Sequence, residues 1–411
     1  MRTRTSGWPS RYEQWLATPQ TVVVQPTTWC NLDCRYCYLP YRKLKQQMPA
    51  AVARALATSI AQFGTEEGPV VGIVWHGGEP LAVGPQKFEA LLAPFEGLRR
   101  AGRVHHHVQT NATLVTDTWC DLFTAYAVRV GVSIDGPAAM SLDRVDLRGK
   151  PAFDRIQQGI GRLRERGIPF SAIAVVSSLG IAAPEKLLDF LADVGCHSAG
   201  LNLEEVEGAN ANSGRRPPTS EQAEEFWRRT FTWARHHGGR MNVREVERLA
   251  EYLRLSRSGQ RADLDERRLD PIPTVSVNGD VVLLSPELAD TTDLAHDNFR
   301  AGNILKQSLT EILAGASRLR YVRDFLTGLE RCQSECSFFD FCRGAQAANR
   351  YFENGSLATT ETHHCRITRQ ALVTALFTLA TEDSEDSEET GEKRGSTCRS
   401  SKNSPHPTRP S

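Results

Sequence analysis

Between Thr21 and about Leu203 the sequence alternates short β-rich runs with longer helical patterns, and no other feature restricts the fold as much. The candidate strands are Thr21–Pro26, Val70–Trp75, Val104–Thr110, Arg129–Asp135, Ile168–Val176 and His197–Leu203. Between them, Ala50–Phe63, Pro85–Leu98, Thr116–Tyr126, Phe153–Arg166 and Pro184–Val194 carry apolar residues at helical spacing. Strands alternating with helices imply a parallel sheet with βα crossovers. Six units fall short of the eight that close a full barrel, so the expected fold is α/β, a partial, open (β/α)6 TIM barrel with its active face at the strand C-termini.

The alternation ends at a polar loop, Glu204–Arg216, after which Thr219–His237 and Val243–Ser256 read as helices. Pro273–Pro286 reads as a hairpin turned at Asn278-Gly279, and a cysteine-rich stretch follows. The expected organisation is an N-terminal extension (1–20), the barrel (21–237), a helical connector (238–272), a cysteine-rich domain (273–380) and a tail (381–411). That tail is acidic and almost without apolar residues, so it cannot offset the entropy of ordering and is expected to be disordered, Cys398 included.

Acidic and basic residues balance at 49 each, which gives no net field towards nucleic acid or an anionic membrane. No apolar run approaches the roughly 18 residues of a membrane span, and no apolar stretch follows the basic N-terminus as in a secretion signal. The expectation is a cytoplasmic chain with neither nucleic acid nor membrane as a partner. Ten cysteines in such a chain are poor candidates for disulfides, and metal or redox chemistry becomes their leading use.

Cys30, Cys34 and Cys37 form a C-x3-C-x2-C array directly after the first candidate strand, on the loop where parallel sheets place their chemistry. Thiolates select soft metals and iron–sulfur clusters, and three ligands leave one iron of a cubane open. By itself the loop also suits a zinc site completed by a histidine, or buried thiols. Gly77, Gly78, Glu79 and Pro80 follow strand two, Thr110-Asn111 follows strand three, and Ser133-Ile134-Asp135-Gly136-Pro137 follows strand four. Alone, the segments after strands two and four can also be read as tight turns.

Taken in register, these segments resemble the radical S-adenosylmethionine (SAM) superfamily, in which an aromatic residue, here Tyr36, precedes the last cysteine of the loop. The resemblance implies a 4Fe–4S cluster with an open iron on Cys30, Cys34 and Cys37, which chelates SAM and delivers one electron to its sulfonium. The resulting 5′-deoxyadenosyl radical abstracts a substrate hydrogen. It implies that Gly77, Gly78, Glu79 and Pro80 hold the SAM ammonium group, with Tyr36 and Asn111 also at the cofactor and Ser133 and Asp135 on its carboxylate or ribose. Ala112 stands where the family has glycine. Arg144 matches an arginine of the peptide-modifying branch, although the His-Asp expected before it is absent.

Cys332, Cys336, Cys342 and Cys365 form a C-x3-C-x5-C-x22-C array sufficient for one closed cluster, with zinc as the alternative. Behind a radical SAM barrel this array resembles the SPASM auxiliary-cluster domains. Because Ser285-Pro286-Glu287 occupies an upstream position where a further cysteine is expected, one auxiliary 4Fe–4S cluster is expected rather than two. The segment CSFFDFCRGAQAANRYFENGSLATTETHHC is similar to the cyclophane-forming radical SAM/SPASM peptide maturases, with Arg343 replacing a glycine. This implies cross-linking of an aromatic ring to a β-carbon in a ribosomally made precursor peptide, with an electron donor such as a flavodoxin or ferredoxin.

Two other readings stay open. One is a sulfatase-type maturase that forms formylglycine; the other is a non-catalytic iron–sulfur or zinc module that binds a partner. Catalytic acid–base residues are not identifiable, and Glu287 and Asp290 are the carboxylates to test. His105, His106 and His107 are expected to pack, and Cys120 and Cys196 are read as buried thiols in helical segments. With about 20 residues before strand one, peptide leader binding is expected to use the barrel, the middle segment or a separate protein.

Overall fold

The computed structural model describes residues 19–63, 70–205, 208, 214–260, 269–344 and 346–382. The tail from 383, most of the N-terminal extension and Cys398 lie outside them. Ten strands form one sheet in the order β10-β9-β8-β1-β2-β3-β4-β5-β6-β7. The first six are β1 (Thr21–Val24), β2 (Val71–Trp75), β3 (Val104–Thr110), β4 (Arg129–Ser133), β5 (Phe170–Val176) and β6 (Ser198–Leu203), all parallel. Helices α1 (Ala50–Ala61), α2 (Pro85–Leu92), α3 (Glu96–Arg100), α4 (Asp117–Ala125), α5 (Phe153–Glu165), α6 (Ser178–Ala182) and α7 (Pro184–Asp193) fill the crossovers, giving the partial barrel expected.

The pattern along β3 shows how the sheet sorts its side chains. Val104, His106, Val108 and Thr110 are buried, while His105, His107 and Gln109 alternate on the other face, where Gln109 lines a cavity. His106 accepts a hydrogen bond from Trp75 Nε1 at 3.2 Å, so this histidine packs within the core.

Several elements differ from the sequence reading. The helix expected over Pro85–Leu98 is split by a 3-10 turn at Ala93–Phe95, because Pro94 has no N–H for the i−4 bond. Cys196 is buried, as expected, but lies in the loop between α7 and β6. A short seventh strand, β7 (Asn242–Val243), pairs in parallel with β6 between α8 (Ser220–His236) and α9 (Arg244–Arg257). The hairpin of β8 (Thr274–Val275) and β9 (Asp280–Val282) does turn at Asn278-Gly279, and β8 pairs in parallel with β1. The hairpin and β10 (Arg300–Asn303) therefore continue the barrel sheet.

Beyond the sheet come α10 (Leu309–Ala314), α11 (Arg320–Glu335), α12 (Phe339–Cys342), α13 (Ala347–Asn354) and α14 (His363–Cys365). They are tied back to the barrel at buried points. Leu309 N donates to Ser59 Oγ at 3.1 Å, and Trp227 Nε1 of α8 donates to the Ile367 carbonyl at 2.8 Å. No helix among the described residues is long and apolar enough to cross a membrane.

Candidate active site and a second cysteine cavity

The loop after β1 is held by its backbone. Cys30 N donates to the Arg42 carbonyl at 2.8 Å, Cys37 N to the Cys34 carbonyl at 3.1 Å, and Arg42 and Lys43 both pair with Asp33. The turn after β2 closes on it from the other side. Glu79 N donates to the Trp29 carbonyl at 2.9 Å, and Gly78 (φ +58°) leaves no room for a side chain, since a Cβ would fall 2.5 Å from the Trp29 carbonyl oxygen. Turn geometry thus requires Gly77 (φ +97°), and close backbone approach requires Gly78 as well.

Glu79 is 1% exposed and accepts from Leu81 N, Thr110 Oγ1 and Asn111 N. Burial raises its carboxyl above the ordinary value while these three bonds pull it down. Its side chain therefore locks the ends of β2 and β3 together. Asn111 reaches the cysteine loop, donating to Asn31 Oδ1 at 2.9 Å, with its Nδ2 3.9 Å from Cys30 Sγ.

These pieces converge on a cavity of about 340 Å³ at the strand C-termini, lined by Cys30, Cys34, Tyr36, Cys37, Gly78, Glu79, Asn111 and Ser133. Gly77 and Pro80 stand behind it and shape the turn. Asp135 stands apart from these residues. It does not line the cavity: its carboxylate accepts from Arg144 (2.8 Å), Tyr36 OH (2.6 Å) and Val175 N (2.9 Å). Asp135 thus holds Tyr36 and Arg144, with the Arg144 guanidinium 5.4 Å from the centre of the Tyr36 ring. Burial raises all three thiols, Cys34 to about 11, so metal binding must displace their protons.

Sequence reading missed one carboxylate of this cavity, Glu205. Glu205 and Glu287 face the same cavity as the three cysteines. Burial raises both carboxyls, Glu205 to about 8, with Glu287 and Glu353 adding to the rise. Asn349 donates to Glu205, whose other oxygen lies 3.2 Å from His364 Nδ1, and Ser285 donates to Glu287. Glu287 was named from sequence; its pairing with Glu205 is tertiary and left no local signal. Asp290 sits beside Gln25, away from this cavity.

Cys332, Cys336, Cys342 and Cys365 line one second cavity of about 390 Å³, brought together from α11, the segment before α12, α12 itself and α14. Among the described residues no three Cys, His, Asp or Glu side chains converge as ligands of a single ion. A cluster does not ask for that convergence, since each thiolate takes a different iron, and four sulfur donors on one cavity fit it.

The sequence model of the Radical SAM superfamily matches residues 24–191. An uncharacterized protein of Synechocystis is 32% identical over 360 residues, 84% of this chain and 88% of that protein. The serine-type anaerobic sulfatase-maturating enzyme of Bacteroides thetaiotaomicron is 27% identical over 363 residues, covering 82% and 84%. Among solved structures, native anSMEcpe with bound AdoMet and Cp18Cys peptide aligns with a TM-score of 0.70 at 18% identity, over 90% of this chain and 99% of that one. Streptococcus suis SuiB bound to precursor peptide SuiA aligns with a TM-score of 0.62 at 17% identity, over 86% and 77%. At these identities the structures are alike in fold.

Proposed function

Because the chain belongs to the radical SAM superfamily, we propose that it cleaves SAM to modify a ribosomally made precursor peptide, joining an aromatic ring carbon to a nearby β-carbon as a cyclophane. The observation that carries the reading is the convergence of three loop thiols, the Gly78-Glu79 turn, Asn111 and Ser133 on one cavity. Cys30, Cys34 and Cys37 would hold a 4Fe–4S cluster with an open iron, and with SAM bound it supplies one-electron chemistry that yields a 5′-deoxyadenosyl radical. Cys332, Cys336, Cys342 and Cys365 would hold one auxiliary 4Fe–4S cluster, whose chemistry is the exchange of single electrons. A flavodoxin or ferredoxin is the proposed electron donor. Peptide chemistry is supported by the sulfatase-maturating relative and by the peptide-bound structures of anSMEcpe and SuiB.

The chain's own groups have separable tasks. Glu79 fixes the turn against the cysteine loop, and the Asp135–Arg144 pair fixes Tyr36 at the cavity wall. Forming a ring-to-carbon bond leaves the ring one electron and one proton in excess. The role of accepting that proton is assigned to Glu205 and Glu287, two carboxylates facing one cavity, each in the form that has lost its own proton. The cyclophane assignment is supported by the similarity of the Cys336–Cys365 segment to that branch.

A second reading is a sulfatase maturase, favoured by the 27% identity to the Bacteroides enzyme over most of both chains. Product chemistry separates the two. Anaerobic reaction of the reconstituted enzyme with a precursor peptide bearing an aromatic motif is expected to give a product lighter by two hydrogens, with fragmentation blocked across the linked residues and no reaction with a hydrazide. A hydrazide-reactive aldehyde from a sulfatase-derived peptide, and no cross-link, would overturn the cyclophane reading.

A further inference from the structure

Arg350, on α13, is 0% exposed. Arginine is almost never fully buried unless an opposite charge accompanies it, because desolvation of an unpaired charge costs several kcal/mol. Among the described residues no carboxylate forms an ion pair with Arg350. Its Nη2 instead donates to Cys332 Sγ at 3.3 Å, its Nη1 makes only long bonds to the Phe325 and Leu357 carbonyls (3.4 and 3.5 Å), and its Nε has no partner. The guanidinium lies 4.9 Å from the centre of the Phe325 ring. Burial lowers its pKa, and the groups that oppose this are Cys332, Cys342 and Cys365.

The fold makes room for this placement. Gly328 lies one helical turn before Cys332 on α11, and a Cβ there would fall 2.2 Å from Arg350 Nη1. Neutral thiols give such a cation little return. Four thiolates around a 4Fe–4S core carry a net negative charge that grows by one when the core is reduced, and they supply the missing counter-charge.

We propose that Arg350 is the counter-charge of the second cysteine site and raises the reduction potential of the cluster held there. This rests on the auxiliary-cluster reading and goes beyond it by naming the residue that tunes the site. Two levers act in the same direction: a fixed positive charge favours the more negative reduced core, and an N–H···S bond lowers electron density at the Cys332 sulfur. Arg350 touches a ligand sulfur and no substrate, so it is a positioning and tuning residue.

The test is an anaerobic redox titration of the reconstituted full chain, followed by electron paramagnetic resonance, with Cys34→Ala as background to leave only the auxiliary signal. Arg350→Gln is expected to lower the midpoint by at least the equivalent of a tenfold change in the reduced-to-oxidised ratio, about 59 mV for one electron. Arg350→Lys is expected to recover part of it, and Arg331→Gln, which removes an exposed charge next to Cys332 in sequence, is expected to leave it unchanged. An unchanged midpoint in Arg350→Gln overturns the proposal. Should that variant fail to load, wild-type protein carrying 15N-labelled arginine decides the matter: a nitrogen hyperfine coupling to the reduced auxiliary cluster, absent in Arg350→Lys, supports it, and no coupling in the wild type overturns it. Iron content separates the two claims, since about four irons in the wild type, rather than about eight, removes the auxiliary cluster itself.

Discussion

Ala112 and Arg343 hold left-handed backbone conformations, each at φ +58°. Both replace glycines of the family pattern, and the geometry gives the reason for that pattern: a left-handed residue with a Cβ is strained by about 1–2 kcal/mol. Ala112→Gly is therefore expected to stabilise the protein by up to about 1 kcal/mol, after the greater freedom of glycine in the unfolded chain is counted, as read by the denaturation midpoint. The opposite change is severe at Gly78. Gly78→Ala would press a methyl group into the Trp29 and Thr27 carbonyls, which cannot retreat without moving the cysteine loop. Loss of iron at the first site, with the second still filled, is the expected outcome by iron and sulfide analysis. Arg144→Met leaves Asp135 buried and unpaired, at a cost of about 3–5 kcal/mol in chemical denaturation. A loss under 1 kcal/mol would show that the pair does not hold Tyr36 in place.

At the scale of elements, the strands with branched runs were legible because burial on both faces demands them, as in β1 and β2. Strand β7 has two residues and no periodicity to read, and β6 creates it by offering backbone partners, whereas the equally short β8 was legible through the Asn278-Gly279 turn of its hairpin. The turn glycines and the cysteine loop were legible because their chemistry is local. The pairing of Glu205 with Glu287 was not, since it joins the end of β6 to the segment after β9. That junction has a pH signature. The folded protein holds the Glu205 proton to about pH 8, whereas the unfolded chain releases it near 4.5. Between these values the folded state binds more protons, so this site lowers stability as pH rises and becomes flat above about 8. Asn349, His364, Glu287, Glu353 and Arg369 surround the group, and Glu205→Gln is expected to remove this part of the decline in urea titrations across pH 5–8. An unaltered slope would place the proton elsewhere.

At the scale of the whole molecule, one continuous sheet carries the cavity of the first three cysteines at its strand C-termini, and the helices after β10 gather a second set of thiols around another cavity. Between the two lies His364, next to Cys365 in sequence and 3.2 Å from Glu205. On the proposed reading, a substrate that must lose a proton and an electron would find its proton acceptor and its single-electron site on connected segments. All of this depends on SAM cleavage at the first loop. The most direct measurement is 5′-deoxyadenosine formation by anaerobically reconstituted protein given SAM and dithionite, with Cys34→Ala alongside. The account predicts production by the wild type and none by the variant. No 5′-deoxyadenosine from wild-type protein shown to be loaded with iron and sulfide would contradict it.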